Sequence, residues 1–223
     1  MPAPAAARIS AVDTTLAQEF DRQVEVLLAK GYPAAAGLDE HTFLKHIKPL
    51  RKHLAEVAPS DVEGRVPFVI VVSSALVPVE DAMPFVDLRG KRGVVDMPAV
   101  NIESFAPIEG VTIPRGMAYL LADIDSGADT LNVTPDAALP RILEAARTPL
   151  TLEEGVAVVT QYPEILRTHN AFSLLASRCG DKRVPAIWVA KGEIPRLGWC
   201  WAGNPHTWLG SASCATRIGR LAS

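Results

Sequence analysis

The chain lacks the motifs that usually identify a reaction. It has no G-x-G-x-x-G after a strand-like run, no Walker loop, no G-x-S-x-G and no H-E-x-x-H. Nucleotide-driven chemistry and the common hydrolase plans are therefore not expected. Only three cysteines, at 179, 200 and 214, occur in 223 residues. They cannot close a disulfide framework, and a chain of this length does not need one, so reduced thiols in the cytoplasm are expected. Neither sign of charge dominates: 22 Lys and Arg face 25 Asp and Glu, a formal charge of −3. That balance gives no global reason to bind nucleic acid or an anionic membrane. The longest apolar run, "VPFVIVVSSALVPV" at 66–79, is too short for a membrane span. The start, "MPAPAAARISAV", lacks the basic and apolar regions of a signal peptide.

What is present describes a folded protein. Apolar residues make up 48% and charged residues 21%, the balance of an ordinary globular chain. Residues 1–12 read as a flexible tail and 13–223 as one domain. "TLAQEFDRQVEVLLAKGYP" reads as an amphipathic helix, with Thr15 and Gln18 at capping-box spacing and Gly31 and Pro33 as its stop. The next apolar series, Phe43, Ile47, Leu50, Leu54 and Val57, has helical spacing, but Pro49 interrupts it and predicts a kink or a break. "VPFVIVVSS" and "MAYLLADID" read as buried strands. Between them, residues 75–116 carry five prolines and four glycines. Short strands near Val86 and Val94 and a mobile cover or binding loop are expected there.

A helix is expected over about 139–147, with Thr134-Pro135 or Leu139-Pro140 as alternative starts. Another begins at Thr151, where Glu154 completes a capping box, and ends at Pro163. From residue 171, "AFSLLASR", "VPAIWVAK" and "RLGWCWAG" are separated by short loops and predict an antiparallel meander. N-terminal helices, a mixed middle region and a C-terminal antiparallel β-meander define an α+β fold.

Several constellations could carry chemistry. Lys45, Lys48, Arg51 and Lys52, with His41, His46 and His53 nearby, could form a polyanion-binding face, although no aromatic side chains interleave with them. Asp123, Asp125 and Asp129 in "DIDSGAD" could approach a cation, but the glycine and the final ligand of a calcium loop are misplaced. Cys179, Cys200, His206 and Cys214 are zinc-ligand types without a C-x-x-C knuckle. No cofactor is required by any motif, and zinc is the one metal these residues would suit. His206 could instead activate Cys200 or Cys214, with Asn204 orienting the imidazole.

The segment "GWCWAGNPHTWLGSASC", residues 198–214, concentrates three of the four tryptophans. The leading reading is a packed core corner, with Trp199 and Trp201 on one strand face and Cys200 on the other. The remaining reading is an aromatic-walled pocket.

Together with "RTPLTLEEG" (147–155) and "SRCGDKRVPAIW" (177–188), this segment resembles an uncharacterised protein family of unknown function from high-GC bacteria. The resemblance covers the second half of the chain and implies no activity, cofactor or catalytic residue. The sequence reading is thus a non-catalytic binding module for a small molecule or protein. Arg178, Trp199, Trp201, Asn204, His206 and Trp208 are its contacts, and residues 76–116 its rim. A cysteine-dependent enzyme using a Cys/His pair, or a nucleic-acid or protein adaptor working through residues 45–53, are the alternatives.

Overall fold

The computed structural model describes residues 5–58, 65–167 and 171–220. The first half contains α1 (Ala5–Ala29), α2 (Glu40–Ile47), β1 (Val66–Val72), β2 (Val94–Val95) and β3 (Arg115–Ile124). Then come α3 (Pro135–Glu144), α4 (Leu152–Gln161), β4 (Ala171–Ser173) and β5 (Ser177–Arg178). The chain closes with β6 (Arg183–Ala190), β7 (Ile194–Trp201), β8 (Leu209–Ser211) and β9 (Thr216–Arg220).

The helix α1 begins at Ala5, inside the stretch expected to be a tail, so Thr15 lies within it and does not cap it. Consecutive alanines favour continuing the helix over a cap at that point. Leu16, Phe20 and Leu27 bury one stripe of α1 in the core, with Gln23 among them. Its amide serves the edge of β1: Nε2 donates to the Phe68 carbonyl at 2.9 Å, and the Ile70 N–H donates to Oε1 at 2.8 Å. A side chain thus closes part of a strand edge that would otherwise stay unpaired.

Pro49 acts as its chemistry requires. The α-helical turns of α2 stop at Ile47 and the chain continues as a 3₁₀ helix, Lys48–Glu56, because proline has no N–H for the bond an α-helix needs. The apolar spacing survives the change, and Phe43, Ile47, Leu50, Leu54 and Val57 are all buried.

Two sheets organise the rest. In the first, β3 lies between β1 and β9, antiparallel to both. Tyr119, Leu120 and Leu121 at its centre are fully buried. The second has the order β8-β4-β6-β7-β2. Its centre, β4, β6 and β7, is the expected antiparallel meander. The edges differ, since β8 and β2 pair in parallel with β4 and β7.

The run "AFSLLASR" is two short strands because the chain turns between them. The Leu174 N–H donates to the Pro185 carbonyl, whereas the Ala176 N–H turns to that of Leu150. Helix α3 takes the Thr134-Pro135 start, with the Thr134 hydroxyl accepting from the Ala137 N–H at 3.2 Å.

Helix α4 touches β1 of the first sheet and β6 of the second. At Gly155 it passes so close to Leu174 that an added Cβ would lie 2.4 Å from that side chain. Its capping box is complete, with the Thr151 N–H donating to Glu154 Oε2 at 2.7 Å. Glu154 is fully buried and also receives a two-pronged grip from Arg217 on β9, at 2.5 and 2.7 Å. Such forked contacts balance the charge of a carboxylate taken out of water.

Candidate functional site

A half-open cleft of about 530 Å³ lies where the first turn of α4 meets the proline-broken segment. Its floor comes from Ser73, Ser74 and Ala75 after β1, Thr151–Glu153 at the start of α4, and Ser177 on β5. Its rim comes from Pro78, Val79 and Glu80, and from Ile102, Glu103, Phe105, Pro107 and Ile113.

Local bonding holds each part. Ser73 stops β1 by turning the chain, its carbonyl accepting from the Leu76 and Val77 N–H groups. A short 3₁₀ turn, Ile102–Ser104, is capped by Asn101 Oδ1, which accepts from the Glu103 N–H at 3.0 Å. Ala106–Pro107 then pairs antiparallel with β5, so a loop-like rim is tied to a strand. Ser177 Oγ accepts from the Leu152 N–H at 2.9 Å and caps α4 within the floor.

Glu153 is the half-buried carboxylate of the floor. Its Oε2 accepts from the Ser74 N–H at 2.8 Å and its Oε1 from the Tyr119 hydroxyl at 2.9 Å. The same hydroxyl stands 2.9 Å from Glu154 Oε1, so one phenol links the cleft to the buried Glu154–Arg217 pair. Burial, and then the two glutamates, push the Tyr119 phenol far above its ordinary range. It is held as a neutral donor.

The six binding residues expected in the C-terminal region do not converge. Trp199 and Trp201 share one face of β7, with ring centroids 4.9 Å apart, and the Arg183 guanidinium lies over both at 4.9 and 5.4 Å. Trp201 is 42% exposed, so this pair is a surface feature and departs from the packed-core reading. His206 and Trp208 lie together elsewhere, 5.3 Å apart, with Trp188 against Trp208 at 6.5 Å. Asn204 is exposed in the turn after Trp201. Arg178 has a buried Nη1 without a hydrogen-bond partner, and burial lowers its basicity. The core-corner reading does describe the end of the segment, where Leu209, Ala212 and Cys214 are buried.

Of the thiols in the other two readings, Cys214 is buried and Cys200 half-buried. Burial pushes Cys200 up to about 11 and Cys214 up to about 12, which disfavours the thiolate needed by a nucleophile or a metal. Among the described residues, no hydrogen bond joins His206 to either thiol, and no three His, Cys, Asp or Glu side chains are placed to hold a metal ion.

The aspartates of "DIDSGAD" have partners inside the protein. Asp123 receives Arg147 at 2.6 Å and Arg65 at 3.2 Å, while Asp125 receives Arg65 at 3.4 Å. Two arginines occupy the place that a bound cation would need. On the basic face, Arg51 pairs with Asp21 and His53 with Glu56, while Lys45, Lys48 and Lys52 remain exposed.

Sequence reasoning expected a rim from residues 76–116 but missed the floor residues Ser74, Glu153 and Ser177, and Tyr119 beneath them. The available signal was the doubled glutamate of "TLEE": one glutamate completes the capping box, leaving the other free to face outward.

Fold and site together define an α+β protein with an acidic, half-open cleft at the start of a buried helix. The chain belongs to the family of unknown function DUF5701, whose model matches residues 26–220. That match extends well beyond the half of the chain that carried the resemblance. No curated protein and no solved structure matches it. No helix among the described residues is long and apolar enough to cross a membrane.

Proposed function

We propose that this protein is a non-catalytic, cytoplasmic small-molecule binding module, a single α+β domain whose ligand occupies the cleft above α4. The observation that carries the reading is the cleft itself. Its volume of about 530 Å³ lies within the roughly 300–1,000 Å³ of small-molecule sites. Its walls combine Ile102, Phe105, Ile113 and prolines with the few oriented polar groups around Glu153. The cytoplasmic part of the reading rests on three free cysteines. The exposed Trp201 beside Arg183 supports a second reading, a contact surface for another protein.

A fragment screen followed by protein-observed NMR separates the two. Binders should shift the amides of Ser74, Leu152 and Phe105, and Ala75→Trp, which fills the cleft, should abolish those shifts. Fragments that perturb only the Trp199 and Trp201 amides, unaffected by Ala75→Trp, would overturn the cleft reading.

A further inference from the structure

The lining of the cleft is one-sided in charge. Among the described residues that form it are three glutamates, Glu80, Glu103 and Glu153, and no Lys, Arg or His. Glu80 and Glu103 are exposed at the rim, whereas Glu153 is set into the floor.

The two neighbouring carboxylates of α4 are served very differently. Glu154 has the fork of Arg217 and the Thr151 N–H. Among the described residues, Glu153 has only neutral donors, the Ser74 N–H and the Tyr119 hydroxyl, and no ion pair. Tyr119 has one hydrogen, yet its oxygen stands 2.9 Å from an oxygen of each glutamate. A phenol can donate to only one of them at a time. Glu153 is therefore a carboxylate fixed in orientation and, among the described residues, without a counter-charge. It faces an opening with apolar walls.

We infer that the cleft selects a small organic cation, a primary ammonium carried on an apolar body, with Glu153 as its anchor. This rests on the cleft reading above and adds the ligand class. The ammonium would supply Glu153 with the charged donor that the protein does not, and such hydrogen bonds are stronger than neutral ones. Phe105, Ile102 and Ile113 would cover the apolar body. The rim glutamates would add attraction for the same sign and repel carboxylates. A metal ion fits less well, because no three ligating side chains converge among the described residues.

The test compares three probes with one aromatic body, 2-phenylethylamine, 2-phenylethanol and 3-phenylpropionate, by NMR titration of the full chain. The amine should shift the Ser74 and Leu152 amides and bind roughly ten- to hundredfold more tightly than the alcohol, with the acid weakest. Glu153→Gln should remove most of that preference. Because Glu153 also braces Ser74, the exposed Glu103→Lys provides a second variant, which should weaken the amine and strengthen the acid. Equal binding of amine and alcohol, unchanged in both variants, would overturn the ligand class and leave the cleft reading standing. If no probe shifts the cleft amides at millimolar concentration, both fall.

Discussion

At the scale of single residues, the same chemical group has different meanings in different surroundings. Cysteine suggested a nucleophile or a zinc ligand from sequence. In the fold, Cys214 is fully buried beside the charges of Arg217, Glu154, Arg147 and Asp123, and Cys200 is half-buried. Their thiols are raised from 9.0 to about 12 and about 11, chiefly by burial. The folded protein therefore holds its protons where the unfolded chain releases them, and the stability they contribute is present below pH 9. It is lost as pH rises from 9 towards 11 for Cys200 and 12 for Cys214, at up to about 1.4 kcal/mol per pH unit per thiol. Urea denaturation at pH 8, 9 and 10 should show this fall, and Cys214→Ala should flatten it. A stability independent of pH across that interval would contradict the burial argument. Glutamate gives the converse lesson. The capping-box pattern identified Glu154, but its partner Arg217 lies 63 residues away in sequence, and only folding brings them together.

At the scale of elements, legibility followed the range of the forces involved. The break at Pro49, the Thr134 and Thr151 caps and the strands β1 and β3 depend on neighbours in sequence, and the structure has each of them. The early start of α1 shows the limit of a local motif, because a cap pattern has no force where the preceding residues continue the helix. Strand β9 carried no such signal. In "TRIGR" only Ile218 is buried among its apolar contacts, and pairing with β3 together with the Arg217–Glu154 contact defines its place.

The junction of α1 with β1 depends in the same way on one side chain whose role was hidden in an amphipathic pattern. Gln23→Leu keeps the size and removes both hydrogen bonds to Phe68 and Ile70. It should destabilise the protein by roughly 1–3 kcal/mol for each backbone group left unmet, and amide exchange at Ile70 should accelerate. An unchanged denaturation midpoint would show that these bonds are dispensable.

At the scale of the molecule, the α+β class and the C-terminal meander were legible because they follow from the order of apolar patterns. The site was legible only in part. Its rim falls within a contiguous stretch of prolines and glycines, whereas its floor is assembled from residues 73–75, 151–153 and 177, brought together by the end of β1, the start of α4 and β5. The tryptophans of residues 198–214 are dense in sequence, but β7 and the segment after it distribute them over two separate clusters. The cleft is lined by three glutamates and no basic side chain among the described residues, and the central claim rests on that cleft.

The measurement that tests it most directly is a crystal structure of the protein soaked with a chemically diverse fragment library. The account predicts electron density for bound fragments between Phe105 and Glu153, with amine-bearing fragments placing nitrogen within hydrogen-bond distance of the Glu153 carboxylate. An empty cleft beside well-occupied sites on the Arg183, Trp199 and Trp201 face would contradict it, and would move the functional surface to the tryptophans.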